Sequence, residues 1–130
     1  MTIKNLWPLL SGALLLSGCA TTSITTITNM TPSQQERNAN GLYTFEALWS
    51  TRDATIHPET IHPYVLIGLE AYPMQPTPLM ANRWETVIPI PASNNFVNYR
   101  YKFDYEYNSI PIRQKGSKLS APFQTQILDK

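Results

Sequence analysis

The chain has 130 residues, enough for one ordinary domain and too few for two unless both are minimal. Charged residues make up 15% and the formal net charge is +1, so no electrostatic footprint of a nucleic-acid binder exists and no nucleic-acid partner is expected. Ten of the eleven prolines lie beyond Pro8 and glycine occurs five times, a composition hostile to long helices and suited to short strands joined by proline-shaped turns.

Residues 1–5 carry one positive charge, Lys4. Residues 6–16 read LWPLLSGALLL, an apolar run of eleven that is too short to span a bilayer as a stable helix and fits a signal-peptide core. Leu16-Ser17-Gly18-Cys19 follows at once. This stretch resembles the lipobox of bacterial lipoproteins, in which an aliphatic residue and two small ones precede the cysteine that is modified. The resemblance implies a diacylglyceryl group on the Cys19 sulfur, cleavage before Cys19 and acylation of the new amino terminus. Each buried methylene contributes about 0.8 kcal/mol, so two or three acyl chains make release from the membrane slow. The competing readings are an ordinary secretory signal and a buried free cysteine. Cys19 has no second cysteine in this chain to form a disulfide with.

The residue after Cys19 is Ala20. In lipoproteins of the familiar Gram-negative type an aspartate there retains the protein in the inner membrane, so alanine implies the outer membrane, with the outer face of the cytoplasmic membrane as the alternative. Removing residues 1–18 leaves 112 residues, and the loss of Lys4 brings Lys and Arg from ten to nine, equal to the nine Asp and Glu. No polybasic patch supplements the lipid.

Residues 20–40 are rich in Thr, Ser and Asn; the first part reads as a tether, with alternation over Ile24 to Asn29 suggesting a first strand. Asn29-Met30-Thr31 fits the glycosylation sequon by chance. Residues 33–39, SQQERNA, have the composition of one helical turn. Residues 42–49, LYTFEALW, alternate with Tyr43, Phe45, Ala47 and Trp49 on one face and read as a strand. Residues 50–63 form a polar loop with two His-Pro pairs. Residues 64–72, YVLIGLEAY, read as one central strand with Gly68 marking a bulge or close approach. Three prolines make residues 73–83 an extended loop. Residues 84–91, WETVIPIP, resume the alternation and are expected to end at the prolines or to run along a sheet edge.

The longest strand follows in residues 94–108, NNFVNYRYKFDYEYN. Tyr99, Tyr101, Phe103, Tyr105 and Tyr107 alternate with Asn98, Arg100, Lys102, Asp104 and Glu106, so the aromatic row should cover the core while the charged row is solvated. Residues 108–122 read as a polar connection, and residues 123–128, FQTQIL, as a final strand. Five to seven strands without a convincing amphipathic helix define an all-β chain, an antiparallel immunoglobulin-like β-sandwich of about seven strands. The organisation expected is a signal peptide over 1–18, the lipidated cysteine, tether and candidate first strand over 19–40, and the sandwich domain over 41–130.

No constellation points to catalysis. Both histidines sit in His-Pro pairs in a polar loop, and no serine is flanked by glycines in the manner of a nucleophile elbow. His57, Glu59 and His62 lack the further soft or nitrogen ligands that a closed zinc site requires, so no metal and no cofactor are expected. What remains is aromatic surface. Starch- and glycogen-binding sandwiches carry a tryptophan ahead of a strand, a proline-bearing turn and then an aromatic strand, and the stretch from Arg83 to Tyr107 resembles that outline. The resemblance implies a glycan platform built from Trp84, Tyr99 and Tyr101. The NRWE and FDYEYN stretches also resemble uncharacterised envelope lipoproteins, to which no activity is attached. The expectation is therefore a non-catalytic lipoprotein, held to the membrane through Cys19 and acting as an interaction or scaffolding module with a protein partner in an envelope assembly. The alternative is a carbohydrate-binding surface lipoprotein.

Overall fold

The structure, a computed structural model, describes residues 24–129. Residues 1–18, expected to be a signal segment, and Cys19 lie outside the described residues. Two β-sheets face each other across one hydrophobic core. The first sheet has the order β1-β3-β7-β6, formed by β1 (Thr25–Asn29), β3 (Leu42–Thr51), β7 (Arg83–Pro89) and the two-residue β6 (Gln75–Pro76). The second runs β2-β10-β8-β4-β5, formed by β2 (Gln34–Glu36), β10 (Phe123–Leu128), β8 (Phe96–Tyr107), β4 (His62–Ile67) and β5 (Glu70–Pro73), with β9 (Gln114–Leu119) also on β8. The chain is thus an all-β sandwich of ten strands among the described residues. Nine of its strands pair antiparallel to a neighbour, while β2 joins β10 in parallel.

The period-2 pattern predicts the core closely. Tyr43, Phe45, Ala47 and Trp49 of β3 and Val97, Tyr99, Tyr101 and Phe103 of β8 are all buried, because alternate side chains of a strand share one face and these eight meet between the sheets. Ring contacts join the two faces in order along the strands. Phe45 meets Tyr99 edge-on at 4.9 Å between centroids, and Trp49 stacks on Phe103 at 4.8 Å. Burying a side chain of this size stabilises by about 1.5–3 kcal/mol before the shape-specific aromatic gain. Val65, Ile88 and Ile127 complete the core from β4, β7 and β10.

The twelve residues of β8 organise the second sheet. One edge of β8 pairs with β4, from His62 opposite Asp104 to Leu66 opposite Arg100. Its other edge is shared end to end: Phe96 to Tyr99 pair with β10, and Lys102 to Tyr107 pair with β9.

Four expectations need correction. The 33–39 stretch forms no helical turn; β2 lies there instead, since Gln126 N–H donates to Ser33 O at 2.9 Å and Arg37 N–H donates to Leu128 O at 2.8 Å, and a sheet ladder overrides weak local helix propensity. The 64–72 stretch is two strands. Ile67 pairs with Glu70 around Gly68 and Leu69, and Gly68 adopts φ +57, a left-handed conformation that a glycine enters without a Cβ penalty. The 73–83 loop contains β6. The polar 108–122 stretch contains β9, because the backbone groups of the outer half of β8 need ladder partners whatever the side chains beside them. Split β4–β5 and the added β2, β6 and β9 account for the difference between the six strands placed on the sequence and the ten observed. The sandwich also reaches back past residue 41: β1 pairs along β3 from Thr25 opposite Thr51 to Asn29 opposite Ala47.

Candidate functional site

Tyr99 and Tyr101, expected on sequence as ligand-binding residues, point into the core with 2% and 0% of their surface exposed. No ligand reaches their rings while the sandwich is closed. Trp84 lies on the other sheet, opposite Ala47, and packs half-buried against the same core. The three rings therefore do not form an exposed plane, and the glycan platform expected from Trp84, Tyr99 and Tyr101 is corrected to a set of packing residues. The physical reason is the register of β8: the row that carries the aromatic residues is the row that must exclude water.

The phenol oxygens of that row find partners across the interior. Tyr101 Oη lies 2.7 Å from Thr31 Oγ1, 2.7 Å from Asn29 Oδ1 and 2.7 Å from the Glu46 carbonyl. Asn29 Nδ2 donates to Tyr99 Oη at 3.0 Å, and Glu46 N–H donates to Thr31 Oγ1 at 2.9 Å. The residues of the sequon Asn29-Met30-Thr31 thus hold a polar clasp between β8 and the β1–β3 pair. Burial is the main cause that pushes the Tyr101 phenol well above its ordinary range, against the lowering effect of the Thr31 hydroxyl.

The charged row of β8 leads to a different surface. An open groove of about 650 Å³ crosses β4, β8 and β9 and is lined by His62, Tyr64, Asp104, Glu106, Lys115 and Ser117, with Glu59 and Thr60 at its rim. Register explains the grouping: His62 and Ser117 flank Asp104 on either side, and Lys115 stands opposite Glu106. Gly116 is needed between the two β9 side chains. A Cβ there would meet Tyr105 Cε2 at 2.7 Å, so the Tyr105 ring covers the glycine and closes that part of the sheet.

The carboxylates of the groove are already engaged. Ser117 Oγ donates to Asp104 Oδ1 at 2.8 Å and Lys102 Nζ is 3.5 Å from the same oxygen, while Arg113 Nη1 is 3.3 Å from Glu106 Oε2. Asp104, Glu106, Arg100 and Lys102 are half-buried, and Asp104 and Glu106 of this row line the groove. Serine, histidine and carboxylate do meet here, yet the serine hydrogen bond goes directly to the carboxylate and no histidine stands between them to act as its base. The arrangement offers donors, acceptors and one tyrosine ring to a polar ligand.

The second histidine is a loop pin. His57 Nε2 lies 2.6 Å from Asn108 Oδ1 and its Nδ1 lies 3.4 Å from Glu59 Oε1, which joins the β3–β4 connection to the segment after β8. No group of three or more His, Cys, Asp or Glu among the described residues is placed to hold a metal ion. A smaller recess of about 420 Å³ lies under that connection, lined by Trp49, Arg52, Asp53, Ile56, Ile61 and Asn82. The Thr55 hydroxyl, and then its backbone N–H, hold the Asp53 carboxyl below its ordinary range.

Tyr64, Lys115 and Ser117 were absent from the sequence-based candidates. They join Asp104 only through pairing across some forty residues of chain on one side and thirteen on the other, and no local pattern signals that. What the fold and this surface define together is a two-sheet β-sandwich with a polar groove on one face. No protein family, curated protein or solved structure matches this chain.

Proposed function

We propose that this protein is a bacterial lipoprotein, acylated on Cys19, whose immunoglobulin-like β-sandwich is a non-catalytic interaction module of the cell envelope. The observation that carries the reading is Leu16-Ser17-Gly18-Cys19 directly after an eleven-residue apolar run. Among the described residues the first strand, β1, starts at Thr25, six positions after Cys19. Ala20 favours the outer membrane, with the outer face of the cytoplasmic membrane as the alternative. The protein partner of an envelope assembly docks on the groove over β4, β8 and β9, where paired charges and a tyrosine supply polar complementarity.

Replacing Cys19 by alanine tests the anchor. Acyl labelling and membrane retention should both be lost, and a Cys19→Ala protein that still pellets with membranes requires another anchor. Co-purification of the native lipoprotein from solubilised membranes tests the assembly. Recovery of a partner-free monomer would overturn it.

A glycan occupant is the second reading, favoured by Tyr64 standing beside His62, Asp104 and Ser117 in one groove. It moves the expected glycan site from the buried aromatic row to the opposite face of β8. Calorimetric titration with envelope oligosaccharides separates the readings, since saturable binding abolished by Tyr64→Ala supports the glycan and its absence supports the protein partner.

A further inference from the structure

Four apolar side chains stand in water at one end of the sandwich. Leu79 and Met80 lie in the turn between β6 and β7, 106% and 48% exposed, and Ile110 and Ile112 lie in the connection from β8 to β9, 97% and 68% exposed. Both segments belong to the end where β3 finishes. Trp49 N–H donates to Asn82 O at 2.9 Å, which places the 77–82 turn there, and Asn108 N–H donates to Thr55 O at 2.8 Å, which places the start of the 108–113 connection there. The chain enters at the same end, because Thr25 pairs with Thr51 and Arg52 N–H donates to Ile24 O at 2.9 Å.

A single exposed aliphatic side chain is ordinary. This group is distinguished by Leu79, which is held at φ 62, a left-handed conformation unfavourable for a leucine. Asn82 takes φ 61 in the same turn with a residue type suited to it, so the fold does not demand a leucine at the strained position. The strain keeps an apolar side chain at the tip of the turn, where it touches nothing within the sandwich.

We propose that this end of the sandwich rests on the lipid surface, with Leu79, Met80, Ile110 and Ile112 entering the boundary between headgroups and acyl chains. The inference rests on the lipoprotein reading of Cys19 and gives that anchor an orientation. Cys19 precedes Ile24 by five residues, a length that spans at most about 18 Å when fully extended. The two sheets of a sandwich pack about 10 Å apart, so a cysteine held in the membrane keeps the whole of this end near the surface. Apolar turn tips that reach the boundary add to the anchor and fix the tilt of the domain. The groove over β4, β8 and β9 then faces along the membrane rather than into it, open to a partner.

The test uses the full lipidated chain reconstituted in phospholipid vesicles. Cys19 is blocked by its acyl group, so Ile112→Cys, Leu79→Cys and Leu69→Cys each introduce one thiol for a bimane label. Leu69 is 105% exposed but sits at the tip of the β4–β5 turn, beyond the pairing of Leu66 with Arg100 and so toward the opposite end of β8. Brominated acyl chains should quench the labels at positions 79 and 112 by about twofold, as for side chains at the headgroup boundary, and leave position 69 unchanged. Equal, weak quenching at all three positions on a protein that carries its acyl label overturns the proposal and leaves the lipoprotein reading standing. A protein without acyl label that floats free of vesicles overturns both.

Discussion

The Tyr101 hydroxyl, carried by β8 in the second sheet, lies 2.7 Å from the Thr31 hydroxyl that follows β1 in the first. Thr31 is 6% exposed and Tyr101 is fully buried, so this is a hydrogen bond in the interior, where an orphaned partner is expensive. Tyr101→Phe removes the oxygen that serves Thr31, Asn29 and Glu46 at once. Urea denaturation should show a loss of about 1–3 kcal/mol with an unchanged slope. Thr31→Val should cost a comparable amount, and the double variant less than the sum, because residues in one network couple. Additive losses would mean that the clasp is not a unit.

The same tyrosine sets a pH dependence. Its phenol is held above the ordinary value of 10.0 by burial, so the folded state keeps the proton that the unfolded chain releases. A raised folded value contributes stability that is full below pH 10 and lost as pH rises through and beyond that range. The Tyr105 phenol is also raised, by burial first and then by the Asp53 charge, and acts in the same direction. Thermal melts between pH 8 and pH 11 should fall steeply at the alkaline end, and Tyr101→Phe should flatten the fall. An equally steep alkaline limb in Tyr101→Phe would assign the effect elsewhere.

Gly116 is the one residue of β9 whose side chain position is already occupied. Gly116→Val places methyl groups where the Tyr105 ring sits, and that ring is also in contact with Trp49 at 5.7 Å between centroids. Displacing it should cost about 1–3 kcal/mol by overcrowding, and should loosen β9 from β8. Hydrogen exchange of the amides of Gln114 to Leu119 reads the second effect directly. Unchanged protection would show that Tyr105 moves aside freely.

Gly68 and Leu79, both turn residues at positive φ, should respond in opposite directions. Gly68→Ala adds a Cβ at φ +57 with no atom within 4 Å of it, so conformational strain alone acts, and stability should fall by about 1 kcal/mol. Leu79→Gly relieves strain at φ 62 and removes a side chain that packs on nothing, so stability should hold or rise by up to about 1 kcal/mol after the entropy of the unfolded glycine is counted. A marked loss on Leu79→Gly would show that the leucine serves the fold.

Residue pattern alone determined the strands with strict alternation. The faces of β3 and β8 were legible because a period of two leaves one way to place Tyr43 to Trp49 and Tyr99 to Phe103 against a core, and β10 was legible over its full length. The eleven-residue apolar run and Leu16-Ser17-Gly18-Cys19, on which the proposed function rests, are equally local, a matter of consecutive residues. Tertiary structure decided everything that depends on which strand lies beside which. QKGSKL has no strand signature of its own and forms a strand because β8 outruns β10, and QQE is extended because β10 offers an edge. The groove follows from the same pairing: His62, Asp104 and Ser117 become neighbours through backbone hydrogen bonds that are formed between distant segments, and in β9, polar on both faces, side-chain composition does not encode the register. Tyr99 and Tyr101 show the limit from the other side. Their alternation said that they share a face, and the closing of the first sheet over that face turned a row of aromatic rings into a core.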